Sequence, residues 1–412
     1  MWPNFLIRIV FIAGSLILLA GALSEWRHWS STPTDFEAYY TAASMIRSHE
    51  NLQIYAEVER NSNLLLGYAD RDTVFARTSR AYGFTDISVY IYPPALADLM
   101  APLTVFSPLA ALVIWRLLNL TALLSSIFML LRMLGMRSIG HACMVAVFLF
   151  TFRPMLSCFD WGQVPLILLF LLTAGLSLYF RGCKNWAGLL FALAIAIKLT
   201  PFIVLLPFIV WRDWKIVRAS ALWGAAILGA LLIVNGWGTL NLYFLHVLPL
   251  MSNGAVNIDN RTFSNMLTVY CHGLAQNTPP FEMIWAERLV AILVYCYAIW
   301  LIRLNREDNL PENSRLETVA IFLLLSCCCS PVSWIHAYAL SAPALVIIGK
   351  RIWEQYANAA EAILLTMFLL SLSLSSDRAT YFVVMTPLLG VALGLMGLRR
   401  LRLERILNEP AT

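Results

Sequence analysis

Two carboxylates follow closely on the first apolar segment of the chain, and carboxylates are side chains that can move a proton. Asp35 and Glu37 lie in a stretch that begins with Thr34. A carboxylate acts as a general base when burial brings its pKa toward neutrality. The pattern is also typical of a helix start, because Thr34 and Glu37 fit a capping box and acidic residues suit the helix dipole. Both interpretations stay open, because a general base must be held in a fixed position and the first turn of a helix can hold it.

The composition places this acidic pair beside a membrane. The chain has 412 residues, of which 60% are hydrophobic and 13% are charged. Soluble domains average about 25% charged residues. Since a membrane-spanning helix needs about 20 apolar residues, the sequence predicts an all-α polytopic membrane protein with about twelve transmembrane segments. Residues 1–412 are predicted to form one domain, and the net charge of +5 gives no indication of nucleic-acid binding.

Apolar segments divide the chain into predicted spans and loops. The run 186–211 is too long for one regular helix and contains Lys198 and Pro201 near its centre, so we expect two short segments that meet at Lys198. The first external loop, 26–100, is predicted to be large and built of short helices, and 237–283 is predicted as a second external loop. The other predicted spans are 5–23, 103–131, 139–156, 164–180, 219–236, 284–302, 316–330, 334–349, 358–375 and 381–398.

The distribution of basic residues predicts the orientation. Lysines and arginines cluster after alternate spans, as at Arg181 and at Arg399, Arg400 and Arg402. The positive-inside rule then places both termini in the cytoplasm, and the first apolar segment is expected to be an uncleaved anchor in the plasma membrane. With this orientation, the polar residues able to do chemistry gather on the outer side.

Each of these outer residues also has an ordinary interpretation. Tyr92 can be an aromatic of the interfacial belt, and Lys198 can be an anchor whose ammonium reaches the interface. Gln163 can supply polarity at the end of a span. His336, beside Trp334, can be an interfacial residue that hydrogen-bonds to backbone.

The cysteines and one acidic motif bear on metals and disulfides. Cys158 and Cys271 both fall in predicted external loops, where a disulfide between them is an open alternative. None of the eight cysteines has the spacing of a metal site. Asp70 and Asp72 have the D-x-D spacing found in many nucleotide-sugar enzymes, but the charged loop around them favours a solvated surface. The sequence therefore predicts neither a metal nor a cofactor.

Several short motifs occur in a fixed order along the chain. They are Asp35-Phe36-x-x-Tyr39 with Ala42-Ala43, Tyr92-Pro93-Pro94, Ala101-Pro102-Leu103 with Trp115, Gly162-Gln163, Lys198-Leu199-Thr200-Pro201, and Ser330-Pro331-x-Ser333-Trp334-x-His336. The set resembles glycosyltransferase family 87 of the GT-C superfamily, in that family's order. Each motif alone is weak, but the ordered set covers nearly the whole chain and is more specific.

The resemblance implies a GT-C-type membrane enzyme similar to polyprenyl-phosphate-mannose-dependent α-mannosyltransferases that work at the outer face. It implies that Asp35 is catalytic and that His336 lies in the site, with either one taking the proton from an acceptor hydroxyl. The hydroxyl attacks the anomeric carbon and the lipid phosphate leaves, with inversion. Lys198, Arg153 and Arg261 are candidates for matching the phosphate charge, Lys198 first. The other predicted substrate contacts are Glu37, Tyr39, Tyr92, Gln163, Asn260 and Trp334.

The sequence departs from the family's pattern in the late external loop, where Asn260-Arg261-Thr262 replaces a sequence of the Asn-Gln-Ser type. The departure adds an arginine that can contact a phosphate. The expected partners are a polyprenyl-phosphate-linked sugar, a hydroxyl-bearing lipid, glycan or protein acceptor, and the bilayer. The alternative function is a transporter or flippase of lipid-linked sugars, which would be expected to show internal repeats and ionisable residues at mid-membrane. The sequence shows neither feature.

Overall fold

The computed structural model describes most of the chain after the predicted first span. The described residues are 33–56, 73–85, 88–274, 278–303, 311–354, 358–374 and 376–408. Within them the regular structure is helical, and an isolated antiparallel bridge joins Asn260 to Trp334. The predicted span 5–23 and the Asp70–Asp72 motif lie outside the described residues.

The first half of the described chain consists of short helices followed by longer ones. In chain order they are α1 Thr34–Arg47, α2 Val74–Ala81, α3 Pro94–Met100, α4 Pro108–Met133, α5 Ile139–Thr151, α6 Arg153–Asp160, α7 Pro165–Phe180, α8 Lys184–Ile197 and α9 Leu205–Val210. Short 3₁₀ segments lie between some of them, at Asn51–Tyr55, Ala101–Val105 and Thr200–Val204. Proline occupies the first turn of α3, α4, α6 and α7, where its missing N–H would have no helical partner.

The second half contains the longest helical stretch and a bundle at the C-terminal end. Its helices are α10 Trp214–Leu242, α11 Leu248–Met251, α12 Phe263–His272, α13 Phe281–Arg303, α14 Glu312–Cys328, α15 Ala342–Trp353, α16 Ala359–Ser373, α17 Ser376–Val384 and α18 Thr386–Asn408. A π-helical turn, Tyr243–Val247, joins α10 to α11, and a 3₁₀ segment, Ile335–Ser341, precedes α15.

Three helical stretches of the described residues are long and apolar enough to cross a bilayer: Pro108–Met133, Trp214–Met251 and Phe281–Arg303. Cys143–Thr151 and Arg153–Asp160 meet at 58° and together would form a fourth span. The remaining apolar helices are shorter. These stretches confirm a helical membrane protein, whereas the count of twelve spans and the side on which each loop lies stay predictions.

Two predicted boundaries need comment. The helical stretch does not end at 236 as predicted but continues to Met251, so the first part of the predicted loop 237–283 is helical. Gly236, with φ of 75°, absorbs a kink there without ending the hydrogen-bonded stretch. The run 186–211 does break where predicted, because α8 ends at Ile197 and Lys198 has an extended backbone.

Helix α1 is buried almost throughout, although it lies in the predicted external loop. It begins at Thr34, and its N-cap is Pro33, which makes no side-chain capping hydrogen bond. The predicted capping box is therefore wrong, since Thr34 lies inside the helix rather than at its cap. Asp35 and Glu37 do occupy the first turn and Arg47 the last, as the helix dipole favours.

Packing brings the separate motifs of the sequence together. Helix α8 packs along α10 and against α7, which in turn packs on α4, while α14, α16 and α18 form the C-terminal bundle. The 3₁₀ segment Ile335–Ser341 contacts α6, α7 and α14 and so links these two groups. Helix α1 packs on α3, next to the turn that follows α6.

Candidate active site

Asp35 lies in the first turn of α1, and its carboxylate is held by neutral groups. Gln163 Nε2 donates to Asp35 Oδ2 at 2.5 Å. Ser88 Oγ lies 3.5 Å from Asp35 Oδ1, a long and therefore weak hydrogen bond. Among the described contacts of this carboxylate, the short one comes from an amide rather than from a cation.

The Gln163 amide is itself fixed in one orientation. Its Oε1 accepts hydrogen bonds from the hydroxyls of Tyr39 at 2.7 Å and Tyr92 at 2.8 Å. Burial raises the pKa of both phenols, so both stay neutral donors. An oxygen that accepts from two hydroxyls directs the NH₂ end of the amide toward Asp35. Three residues predicted as substrate contacts therefore hold the carboxylate.

The turn before Gln163 explains how α1 comes so close. Gly162 has φ of 64°, a conformation that L side chains rarely adopt, and a Cβ built there would lie 2.7 Å from Phe36 Cβ. Trp115 Nε1 donates to the Gly162 carbonyl at 2.7 Å, which ties this turn to α4. Glycine at this position thus permits the contact that brings Gln163 to Asp35.

The surroundings shift the acidity of Asp35. Burial raises the pKa of its carboxyl to about 6, while the hydrogen bonds from Gln163 and Ser88 and the charge of Lys198 oppose a larger rise. A carboxyl with this pKa is ionised at neutral pH yet is a stronger base than a solvated aspartate. That property suits a general base.

Lys198 follows the end of α8, and its charge acts on the Asp35 carboxyl. Its Nζ is 5.4 Å from the centroid of the Tyr92 ring, in the geometry of a cation–π contact. Lys198 and Tyr92 line a cavity of about 310 Å³ that is partly open to the surroundings. Trp334 and Ser330 line another part of its wall. The five residues Asp35, Tyr39, Tyr92, Gln163 and Lys198 are called the Asp35 cluster below.

His336 is buried at the start of the 3₁₀ segment Ile335–Ser341, and the charge of Lys198 acts on its ring. Its carbonyl oxygen lies 3.6 Å from Cys158 Sγ on α6. Glu37, two residues after Asp35 in α1, is also buried. The alternative disulfide is wrong, since Cys158 is buried, Cys271 is exposed and both are free thiols.

The remaining predicted residues lie together around the isolated bridge. Asn260 fixes the loop before α12, because its Nδ2 donates to Ala255 O at 2.7 Å and its Oδ1 accepts from Ser333 N at 2.8 Å. Arg261 is buried, and the charge of Arg153 acts on it. Both polar atoms of the Asn260 side chain therefore hold this loop, while its contact with substrate, like those of Arg153 and Arg261, stays a prediction.

Sequence reasoning missed Ser88 and the structural function of Gly162. Ser88 precedes Tyr90 and Tyr92 in an extended stretch, where no spacing distinguishes it from a surface serine. The Gly162-Gln163 motif does contain this glycine. The motif could not show that Gly162 lies against Phe36, because the two residues are far apart in the chain.

The helical membrane architecture and a half-buried carboxylate, held by residues of which Tyr92 lines a cavity, define an integral membrane protein with a candidate active site. The model of Glycosyltransferase family 87 matches residues 90–331, more than half of the chain. The chain belongs to this family, as its ordered motifs predicted.

Two relatives extend the comparison. A polyprenol-phosphate-mannose-dependent alpha-(1-2)-phosphatidylinositol mannoside mannosyltransferase of Mycobacterium tuberculosis is 28% identical over 284 residues, which are 65% of this chain and 63% of the relative. A polyprenol-phosphate-mannose-dependent alpha-(1-2)-phosphatidylinositol pentamannoside mannosyltransferase of Mycolicibacterium smegmatis is 31% identical over 36% of this chain and 35% of its own. The chain thus spans less than two thirds of the length of these relatives.

Proposed function

We propose that this protein is a membrane hexosyltransferase that moves a mannosyl group from a polyprenyl-phosphate donor to a hydroxyl of an acceptor. The observation that carries the proposal is the Asp35 carboxylate, whose pKa burial raises to about 6 and which the Gln163 amide orients. The family membership and the polyprenol-phosphate-mannose donors in the names of the relatives support the same chemistry.

The proposed reaction is a single displacement. Asp35, or His336 in its place, takes the proton of the acceptor hydroxyl as the oxygen forms a bond to the anomeric carbon. The bond from that carbon to the phosphate oxygen breaks, and the polyprenyl phosphate leaves with the electron pair. Attack from the face opposite the phosphate gives inversion.

Lys198 is the proposed partner of the donor phosphate. It lines the cavity next to Tyr92, and its ammonium acts on Asp35, so one group would lie near both the base and the leaving group. A fixed cation stabilises the negative charge that develops on a departing phosphate. Tyr39, Tyr92 and Gln163 would then act as positioning residues for Asp35.

The acceptor and the location complete the proposal. The relatives' names describe mannoside acceptors, so a mannose-bearing glycolipid is the proposed acceptor. The proposed orientation follows from the basic clusters of the sequence: both termini in the cytoplasm and the Asp35 cluster at the outer face of the plasma membrane.

The test uses membranes that contain the full-length protein and receive labelled polyprenyl-phosphate mannose. Asp35→Asn should reduce transfer to membrane acceptors by about 10²–10⁴-fold, the usual contribution of a general base. It should melt at the same temperature as the wild type or higher at pH 7. The reason is that folding favours the protonated form of a carboxyl with a raised pKa, and the amide lacks the cost of burying its charged form.

Asp98→Asn is the matched control, since Asp98 is another partly buried carboxylate that accepts from an amide, Asn235 Nδ2, at 2.7 Å. Its transfer rate should stay within about twofold of the wild type, as expected of a carboxylate outside the reaction. Unchanged transfer by a well-inserted Asp35→Asn protein would remove Asp35 from the mechanism. Loss of transfer in Asp98→Asn as well would point to general damage instead.

A further inference from the structure

Arg261 is a buried guanidinium with unused hydrogen-bonding capacity. Its side chain is 2% exposed, and its Nε and Nη1 have no hydrogen-bond partner among the described residues. Burial lowers the pKa of Arg261 to about 10, so the group remains charged at neutral pH. A buried charge normally has its donors satisfied, because an unpaired one is costly.

Ser333 adds a second unused group at the same place. The bridge pairs Asn260 with Trp334, Arg261 N donates to Ser333 O at 2.8 Å, and Ile335 N donates to Asp259 O at 2.9 Å. Arg261 and Ser333 are therefore opposite each other, with side chains on one face and Cβ atoms about 5 Å apart. Ser333 is fully buried, and its Oγ has no hydrogen-bond partner among the described residues. Two buried polar side chains thus lie on neighbouring backbone positions with unused donors.

Two arginines and two aspartates are the charged groups that act in the region of Arg261. Arg153 lies close enough for its charge to act on Arg261, so two guanidinium groups share the region. Asp259 is the acid recorded near Arg261, at 3.9 Å from Nη2 with its own side chain 52% exposed. Asp160 and Asp259 both act on Arg153. These carboxylates leave Arg261 Nε and Nη1 without an acceptor.

The backbone that carries Arg261 is rigidly held. Tyr338 donates from its hydroxyl to Arg261 O at 2.7 Å, and Asn265 Nδ2 donates to the carbonyls of Asn260 at 2.5 Å and Asn257 at 3.0 Å. Thr262 caps α12 through its side chain. A loop tied at these points presents its donors in a fixed geometry, which is what recognition of a small anion requires.

We propose that Arg261 and Ser333, with Arg153 nearby, form a phosphate-binding site separate from Lys198. The guanidinium supplies two donors and the serine hydroxyl a third, a set that matches the oxygens of a phosphate group. A membrane lipid headgroup and free phosphate offer the same chemistry, and the experiment below distinguishes these two sources.

The site lies behind the wall of the cavity described above. Val332 and Trp334 line that cavity, and Ser333 stands between them. Ser333 itself is fully buried and is not among the residues that line the cavity. The site therefore goes beyond the proposed transfer reaction, and its occupancy can be measured without a sugar donor.

The experiment measures anion-dependent stabilisation of the full-length protein in uncharged detergent micelles, followed by tryptophan fluorescence on heating. One series adds inorganic phosphate at constant ionic strength. The other adds short-chain phosphatidic acid, with diacylglycerol of the same chains as the phosphate-free control. Wild type should melt at higher temperature with phosphate or phosphatidic acid and not with diacylglycerol. A lower half-saturating concentration for phosphatidic acid identifies a lipid headgroup, and an equal or lower one for inorganic phosphate identifies the free ion.

The variants test whether the effect belongs to this site. Arg261→Gln should weaken half-saturation at least about tenfold, because it removes charge-assisted hydrogen bonds. Ser333→Ala should weaken it roughly fivefold, the effect of one ordinary hydrogen bond, and it decides the matter if Arg261→Gln folds poorly. Arg181→Gln, which removes an exposed guanidinium, should leave it unchanged.

Two results would overturn the proposal. One is a wild type that neither ligand stabilises. The other is an equal response in wild type, Ser333→Ala and Arg181→Gln, which would mean an adventitious ion only. Asp35→Asn should bind phosphate as the wild type does, so failure of the transferase proposal and failure of this one are distinguishable.

Discussion

Two clusters of charged side chains in the described part of the chain stabilise their charges in opposite ways. In the Asp35 cluster, the carboxylate is held by an amide and a hydroxyl, and the ammonium of Lys198 rests over an aromatic ring. At the other end of the chain, carboxylates and guanidinium groups are in direct contact. The C-terminal ion-pair cluster consists of Glu317, Arg351, Glu361, Arg400 and Glu404.

The ion-pair cluster ties four helices together. Arg400 on α18 contacts Glu317 on α14 and Glu361 on α16. Arg351 Nη1 on α15 lies 3.1 Å from Glu317 Oε2 and also contacts Glu404. The side chains of Glu317 and Glu361 are 4% and 1% exposed, so each depends on its arginine partners for compensation.

The two kinds of contact have different chemical consequences for a carboxylate. A carboxylate in direct contact with guanidinium groups has its charged form stabilised by those partners, and the contacts hold neighbouring helices together. A carboxylate held by neutral donors, with a pKa raised to about 6, changes its protonation state near neutral pH. We therefore interpret the C-terminal cluster as structural and the Asp35 cluster as reactive.

The largest effect that tests this contrast is expected for Arg400→Met. Removing this arginine leaves Glu317 and Glu361 without their shared partner, and breaking a buried ion pair destabilises a protein by about 3–5 kcal/mol. The melting temperature in detergent should fall strongly, while protein that remains folded should transfer mannose at the wild-type rate per molecule.

Arg399→Met is the control, because Arg399 is the exposed neighbour on the same helix. It should leave the melting temperature nearly unchanged. If Arg400→Met melted like the wild type but lost transfer, the assignment of a structural function to the C-terminal cluster would be wrong.

Gln163→Leu is expected to be next in size, and it acts on activity. The variant removes the amide that orients Asp35 and opposes the rise of its pKa. We expect kcat to fall roughly 10–100-fold, the effect of losing a hydrogen bond to a charged group. The pH at which activity is half-maximal should also move upward. A defect in packing alone would not produce that second change.

The control for this variant is Asn235→Leu, which removes the amide that holds Asp98. It should leave the pH profile in place. A Gln163→Leu enzyme with the wild-type profile and a raised KM alone would show that Gln163 binds substrate, as the sequence predicted, rather than positioning Asp35.

The wild-type pH dependence gives a smaller and continuous effect. A general base must be deprotonated, so kcat/KM should be level above about pH 7 and fall as the pH drops through about 6, by about tenfold for each further unit. The measurement is initial transfer rate between pH 5 and 8, with insertion and folding checked at each pH. A rate that stays level down to pH 5 would contradict a base with this pKa.

Much of the candidate site could be predicted from the sequence, but the function of its parts could not. Asp35, Tyr92, Gln163 and Lys198 were predicted from motif order, and packing does bring them together. Their hydrogen bonds join positions up to 128 residues apart. Local patterns contain no information on such distances, so the sequence could not show that Gln163 holds Asp35.

Local features of the fold could be predicted from the sequence, but contacts between distant parts of the chain could not. The break at Lys198 was predicted because proline and a charge both oppose a continuous apolar helix. The capping box failed because its pattern also permits a helix that begins one residue earlier, after Pro33. The C-terminal ion-pair cluster went unpredicted, although Glu317 and Glu361 were visible as acids inside apolar segments. In the sequence, Arg400 indicates only that the C-terminus lies on the cytoplasmic side, and nothing there pairs it with these two acids.

Tyr92→Phe is expected to have the smallest effect, and it separates two contributions of one side chain. The variant removes the hydroxyl that donates to Gln163 Oε1 but keeps the ring that faces Lys198. Tyr39 still donates to the same oxygen, so the amide should keep its orientation. We expect kcat to fall about fivefold, as for one neutral hydrogen bond, with KM for the donor unchanged. Tyr39→Phe should match it, and the double variant should approach Gln163→Leu, because only then does the amide lose both hydroxyls. If Tyr92→Phe alone were as damaging as Gln163→Leu, the hydroxyl would be needed for more than orienting the amide. Tyr92 would then be assigned a contact with substrate instead of a positioning function.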